Sequence, residues 1–120
     1  MKHRTSGRKL KREKGQRQAL HKIMLGNFIM REKITTTKAK AKEIKFLIDP
    51  LIRKAKLAQT PAKKVAVLRF LSQKLPAIAA KKLAGEFGKK FETRNSGYTR
   101  VIKIARRKSD DASMAVIEFV

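Results

Sequence analysis

The sequence predicts a two-layer α+β domain, in which a small mixed sheet is covered by helices. Three features predict it. From residue 19 to about residue 85, apolar side chains recur three and four positions apart, the period of a helix. After Gly97 the spacing contracts to two, the period of a strand. The residues are 42% apolar despite a formal net charge of +23, so a folded body and a charged appendage share the chain. The expected order is helix, strand, three helices, two strands, preceded by an extended basic arm.

The arm occupies residues 1–18 and the folded domain residues 19–120. Lys2, Arg4, Arg8, Lys9, Lys11, Arg12, Lys14 and Arg17 face a single acid in this stretch, Glu13. Gly7 and Gly15 interrupt the run, and Leu10 is its one large apolar residue, so it cannot bury enough surface to fold alone. An extended chain of this composition presents a cation every few residues.

The first helix follows from Ala19, Leu20, Ile23, Met24 and Phe28, with His21 and Lys22 on its other face, and ends near Met30. Gly26 costs that helix about 1 kcal/mol relative to alanine, and either weakens it or permits close packing. Ile34 to Thr36 form a short β-branched strand. Thr37 is suited to cap the second helix, whose buried stripe is Ala41, Ile44, Ile48, Leu51, Ile52 and Ala55. Pro50 falls inside this pattern. It kinks one long helix or starts another with Asp49 as cap, and the continuous stripe favours the kink.

Thr60-Pro61 is a start signal for the third helix, buried through Val65, Leu68, Leu71 and Leu75 and ended by Pro76. The fourth runs from Ala77 to about Gly85 and uses Ile78, Ala79 and Leu83. Tyr98, Arg100, Ile102 and Ile104 share one face of the next strand; Ala115, Ile117 and Phe119 share one face of the last. The polar residues 107–113 turn the chain between them. Ile102, Ile104, Ile117 and Phe119 are expected to pack under the helices, leaving Tyr98 and Arg100 at an exposed edge.

Groups for catalysis are missing from this pattern. Without cysteine there is no disulfide, thiolate nucleophile or cysteine-ligated metal, and an intracellular protein is expected. His3 and His21 lack partners at metal-ligand spacing, and Asp110-Asp111 sits among turn residues. No phosphate-binding glycine loop or dinucleotide fingerprint is present. No enzyme activity, cofactor, metal or small-molecule substrate is expected. Apolar stretches such as 75–80 are far shorter than the roughly 20 residues of a membrane helix. The acid-poor start is close to a mitochondrial transit peptide in charge but lacks its amphipathic pattern.

The cations carry the functional signal. Each lysine or arginine docked on a phosphate releases condensed counterions, and arginine adds a planar fork that matches phosphate oxygens. The candidate nucleic-acid contacts are Lys2, His3, Arg4, Arg8, Lys9, Lys11, Arg12, Lys14 and Arg17 in the arm, with Lys22, Lys38, Lys40 and Lys42 on the helices. A second group is Arg94, Asn95, Tyr98 and Arg100, where Gly97 allows close backbone approach. The Tyr98 ring either stacks on an unpaired base or packs in the core; the residues alone do not separate the two.

The assembled pattern resembles the family of bacterial large-subunit ribosomal protein number seventeen. The resemblance rests on Met1-Lys2-His3-Arg4, Gly7-Arg8, Leu10, Arg12, Arg17-Gln18-Ala19, Ile34, Thr36-Thr37, Lys40-Ala41-Lys42-Glu43, Pro50-Leu51-Ile52, Gly97-Tyr98-Thr99-Arg100, Met114-Ala115, Ile117-Glu118 and Val120. Residues 57–90 match least, and Ser113 stands where the family often has proline. The resemblance implies a non-catalytic, cytoplasmic constituent of the large subunit, with an organellar ribosome less expected. It also implies binding to large-subunit ribosomal RNA beside neighbouring ribosomal proteins near the exit-tunnel region. A nucleoid DNA binder would share the charge but not this order of blocks. A membrane-active protein would need its charge on an amphipathic helix, whereas here charge is densest where apolar residues are absent.

Overall fold

The computed structural model describes residues 13–120, and candidate contacts Lys2, His3, Arg4, Arg8, Lys9, Lys11 and Arg12 lie outside them. Helix α1 spans Lys14–Arg31, strand β1 Lys33–Thr37 and helix α2 Lys38–Lys56. A 3-10 turn over Leu57–Gln59 leads into α3 (Pro61–Lys74), α4 (Ala77–Ala84) and the one-turn α5 (Glu86–Lys89). Strands β2 (Thr99–Ile104) and β3 (Met114–Phe119) close the chain. The α+β class is as the sequence predicts, while α5 and an earlier start of α1 are additions. Residues 14–18 are helical rather than irregular: the helix begins at Lys14, well ahead of its first buried residue, Leu25.

Helix α2 organises the body. Its N-cap Thr37 accepts a hydrogen bond from the Lys40 amide at 3.4 Å through Oγ1. Ala41, Ile44, Ile48, Leu51, Ile52 and Ala55 are all buried, and Pro50 lies within one helix rather than starting a second. Burying each large aliphatic residue of that stripe contributes about 1.5–3 kcal/mol.

The sheet has the order β1-β3-β2 and is antiparallel throughout, not mixed. The helical connection does leave β1 and β2 pointing the same way, but β3 lies between them. Register pairs Ile117 with both Ile34 and Val101, and Phe119 with Thr99. Antiparallel partners share a face, so Ile34, Thr99 and Val101 join Ile117 and Phe119 towards the helices. Ile102 and Ile104 then point outwards and are 44% and 42% exposed, which corrects the expectation that they pack inside. The alternation holds, but its other phase is the buried one, because Tyr98 precedes the strand and turns into the core by another route.

Other stripes are also rotated from their expected positions. In α1 the buried residues are Leu25, Gly26, Phe28 and Ile29, while Ile23 is exposed. Val65 and Ile78 are exposed as well; Val67, Ala80 and Ala84 are buried instead. Gly26 allows a close approach. A Cβ there would lie 2.7 Å from Pro76 Cγ and 2.8 Å from Cδ, so α1 meets the start of α4 through a position that has no room for a side chain.

An aromatic group locks the sheet end to the helices. Phe28 stacks on Phe119 with centroids 4.2 Å apart, and Phe87 meets Phe119 edge-on at 5.0 Å. Phe91 stands edge-on to Phe87 and to Tyr98. The hairpin turn is fixed by Asp110, which accepts from Arg107 and from the Ala112 amide. That ion pair lowers the Asp110 carboxyl to about 2. The acid pair thus serves the turn, as its serine neighbours suggested.

Candidate nucleic-acid interface

With 32 lysines and arginines against 9 acids, one-to-one pairing leaves most cations without a carboxylate. Several acids are already committed. Glu32, in the left-handed conformation that ends α1, accepts from Lys82 at 3.1 Å and Lys90 at 3.3 Å. Those bonds, Lys82's foremost, hold its carboxyl below the usual range. Glu118 holds Arg100 at 3.0 Å, Asp111 holds Arg106 and Glu86 holds Lys89.

The start of α2 is the opposite case. Lys38 and Lys40 occupy its first turn, where the helix dipole is positive and no acid is present, and Lys42 follows in the second turn next to the buried Glu43. Repulsion from Lys103 of β2, and next from Lys42, lowers the Lys38 ammonium from its usual value. Thr37, Lys38, Ala39 and Lys42 face Ala112 and Ser113 across a shallow cleft. The fold therefore gathers like charges where the backbone already favours anions, which is unfavourable until an anion arrives. Lys103 was missed in the sequence because its strand was assigned the opposite facing; paired with inward Ala115, it runs beside α2.

Among the other candidates, Lys14, Arg17 and Lys22 are carried by α1, so their spacing is helical, not that of an extended arm. Arg94 and Asn95 lie in the exposed loop before β2. That loop is held from below: Lys56 Nζ donates to the Arg94 carbonyl at 2.6 Å, and Tyr98 Oη donates to the Asn95 carbonyl at 3.0 Å. Tyr98 is fully buried, with Lys56 Nζ 5.4 Å from its ring centroid. A ring so enclosed has no face for a base, which corrects its assignment as a stacking contact; it braces the loop. Arg100 is exposed, on the outer face of the sheet with Ile102 and Ile104.

Among the described residues, no group of three histidine or acidic side chains could hold a metal ion. No helix among them is long and apolar enough to cross a membrane. A family model described as ribosomal protein L17 matches residues 20–120.

Proposed function

The chain belongs to the ribosomal protein L17 family, and from that premise we propose that it is a structural constituent of the bacterial large ribosomal subunit. It binds folded large-subunit ribosomal RNA and stabilises it, supporting subunit assembly in the cytoplasm. Its neighbours are other large-subunit proteins near the exit-tunnel region. The family is one of structural ribosomal components, and catalysis has no part in this reading.

The observation that carries the proposal is the lysine cluster at the start of α2. Lys103 and Lys42 both repel Lys38 at the positive end of a 19-residue helix. A phosphate seated among them exchanges repulsion for charge-assisted hydrogen bonds. Lys40, Lys22, Lys14 and Arg17 extend the basic surface. Residues 1–18 supply further cations, beginning with Lys2, His3, Arg4, Arg8, Lys9, Lys11 and Arg12. Arg94, Asn95 and Arg100 form a second contact on the braced loop and the adjoining strand.

A filter-binding titration against large-subunit ribosomal RNA tests this. If roughly six to eight phosphates are neutralised, affinity falls by about three to five decades between about 50 and 200 mM salt. Each of Lys38→Ala, Lys42→Ala and Lys103→Ala should then lower the salt slope by about 1. A flat salt dependence, or an unchanged slope in the triple variant, would remove the cluster from the interface.

A further inference from the structure

A groove of about 570 Å³ lies between α1, α2 and α3, on a part of the body that the lysine cluster does not use. Its floor is apolar, built from Leu25, Leu47, Pro50 and Leu51. Phe46 and Phe70 also line it, and Phe46 is 64% exposed although it belongs to the helix that forms the core. The rim is polar in a specific way: Gln18 and Gln73 supply amides, Lys22 and Lys74 supply ammonium groups, and no carboxylate among the described residues lines the groove. Lys54 Nζ lies 5.4 Å from the centroid of the Phe70 ring and adds a further cation nearby. His21 lines the same groove. Burial, its largest influence, lowers its pKa, so near neutral pH it is an uncharged imidazole.

Resting on the RNA-binding reading above, we infer that this groove receives an unpaired nucleotide of the RNA, its base against Phe46. Each part of the lining fits one part of that ligand. An aromatic ring left open to solvent offers a stacking platform, and every base has a face to lay on it. Glutamine amides carry both a donor and an acceptor, as hydrogen bonding to a base edge requires. Lysines at the rim meet the flanking phosphates. An apolar protein segment would fill the floor equally well. It would gain nothing from a rim of cations without a carboxylate, and the charge therefore favours the nucleotide.

The test uses the full chain and purified large-subunit ribosomal RNA. Phe46→Ala should weaken binding by about 5- to 150-fold at every salt concentration. Its salt slope should remain that of the wild type, since no ion pair is lost. Phe46→Trp should restore affinity, and Lys22→Ala should lower the slope by about 1. Thermal melts of the Phe46 variants should match the wild type, because the ring is mostly exposed. Ultraviolet cross-linking of the complex should place a nucleotide adduct on the peptide that spans residues 46–53. Wild-type affinity in Phe46→Ala without an adduct there would overturn the inference while leaving the RNA-binding reading intact. So would cross-links from Lys22 or Lys74 to a neighbouring protein in the assembled particle. Failure of the wild-type chain to bind the RNA at all would overturn both.

Discussion

Replacing Ile117 and Ile102 separately by alanine measures which face of the sheet is the core. Ile117 is in the central strand, fully buried, paired with Ile34 on one side and Val101 on the other. Neighbours held in two hydrogen-bonded ladders cannot close around a deletion, so Ile117→Ala loses both the transfer free energy and a cavity term, about 2–5 kcal/mol. With roughly 2.1 cal/mol/K of unfolding entropy per residue, a loss of about 3 kcal/mol lowers Tm by about 12 °C in a domain of this length. Ile102 pairs with Val116 in the same sheet but is 44% exposed. Its truncation leaves solvent where the side chain stood, and should cost about 1 kcal/mol, or about 4 °C. Calorimetric melts of both variants, in salt high enough to screen the net charge, provide the comparison. Equal shifts, or a larger one for Ile102, would refute the facing assigned to β2 and with it the placement of Lys103 beside α2.

Gly26→Ala should destabilise the protein by about 1 kcal/mol, because overpacking against the Pro76 ring at about 1–3 kcal/mol exceeds the helix-propensity gain of about 1 kcal/mol. Pro76→Ala should relieve that cost in a double-mutant cycle, and a stabilised Gly26→Ala single variant would show that the two helices are not in close contact there. Stability should also fall as pH drops from about 7.5 to about 5.5. The folded chain holds His21 below its unfolded value, chiefly by burial, so the unfolded state takes up the proton first. Urea titrations of His21→Gln should show a weaker loss over this range, and an equal loss would mean that another group titrates. Arg100→Ala should change stability by less than about 1 kcal/mol, since its ion pair with Glu118 is solvent-exposed on the arginine side. The same variant should incorporate less well into ribosomal particles, and normal incorporation would remove Arg100 from the interface.

What could be read from the sequence depended on how far one pattern dominated locally. The α2 stripe was legible because six apolar positions repeat at helical spacing among lysines, with only Phe46 and Leu47 of the large apolar residues outside them, and Thr37 marked its start. The α1, α3 and α4 faces were less legible. Ile23, Val65 and Ile78 are apolar yet exposed, so a helix with apolar residues on several sides does not declare which side the tertiary structure buries. Strand β2 failed for a related reason: Val101 and Ile102 are adjacent and both β-branched, so only pairing with β3 fixes the facing. Tyr98 was ambiguous because a phenol serves a core or a stack equally. Its hydroxyl bond to the Asn95 carbonyl, which decides the matter, depends on a loop whose path is not written in any period. The lysine cluster was half legible. Lys38 and Lys42 are neighbours on one helix, whereas Lys103 arrives from a strand some sixty residues later.

Sedimentation of the tagged chain from cell extract on a sucrose gradient tests the central claim most directly. A structural constituent of the large subunit should travel with that subunit and with assembled ribosomes, and stay there through a moderate salt wash. Recovery at the top of the gradient, with small subunits alone, or with genomic DNA would contradict the account.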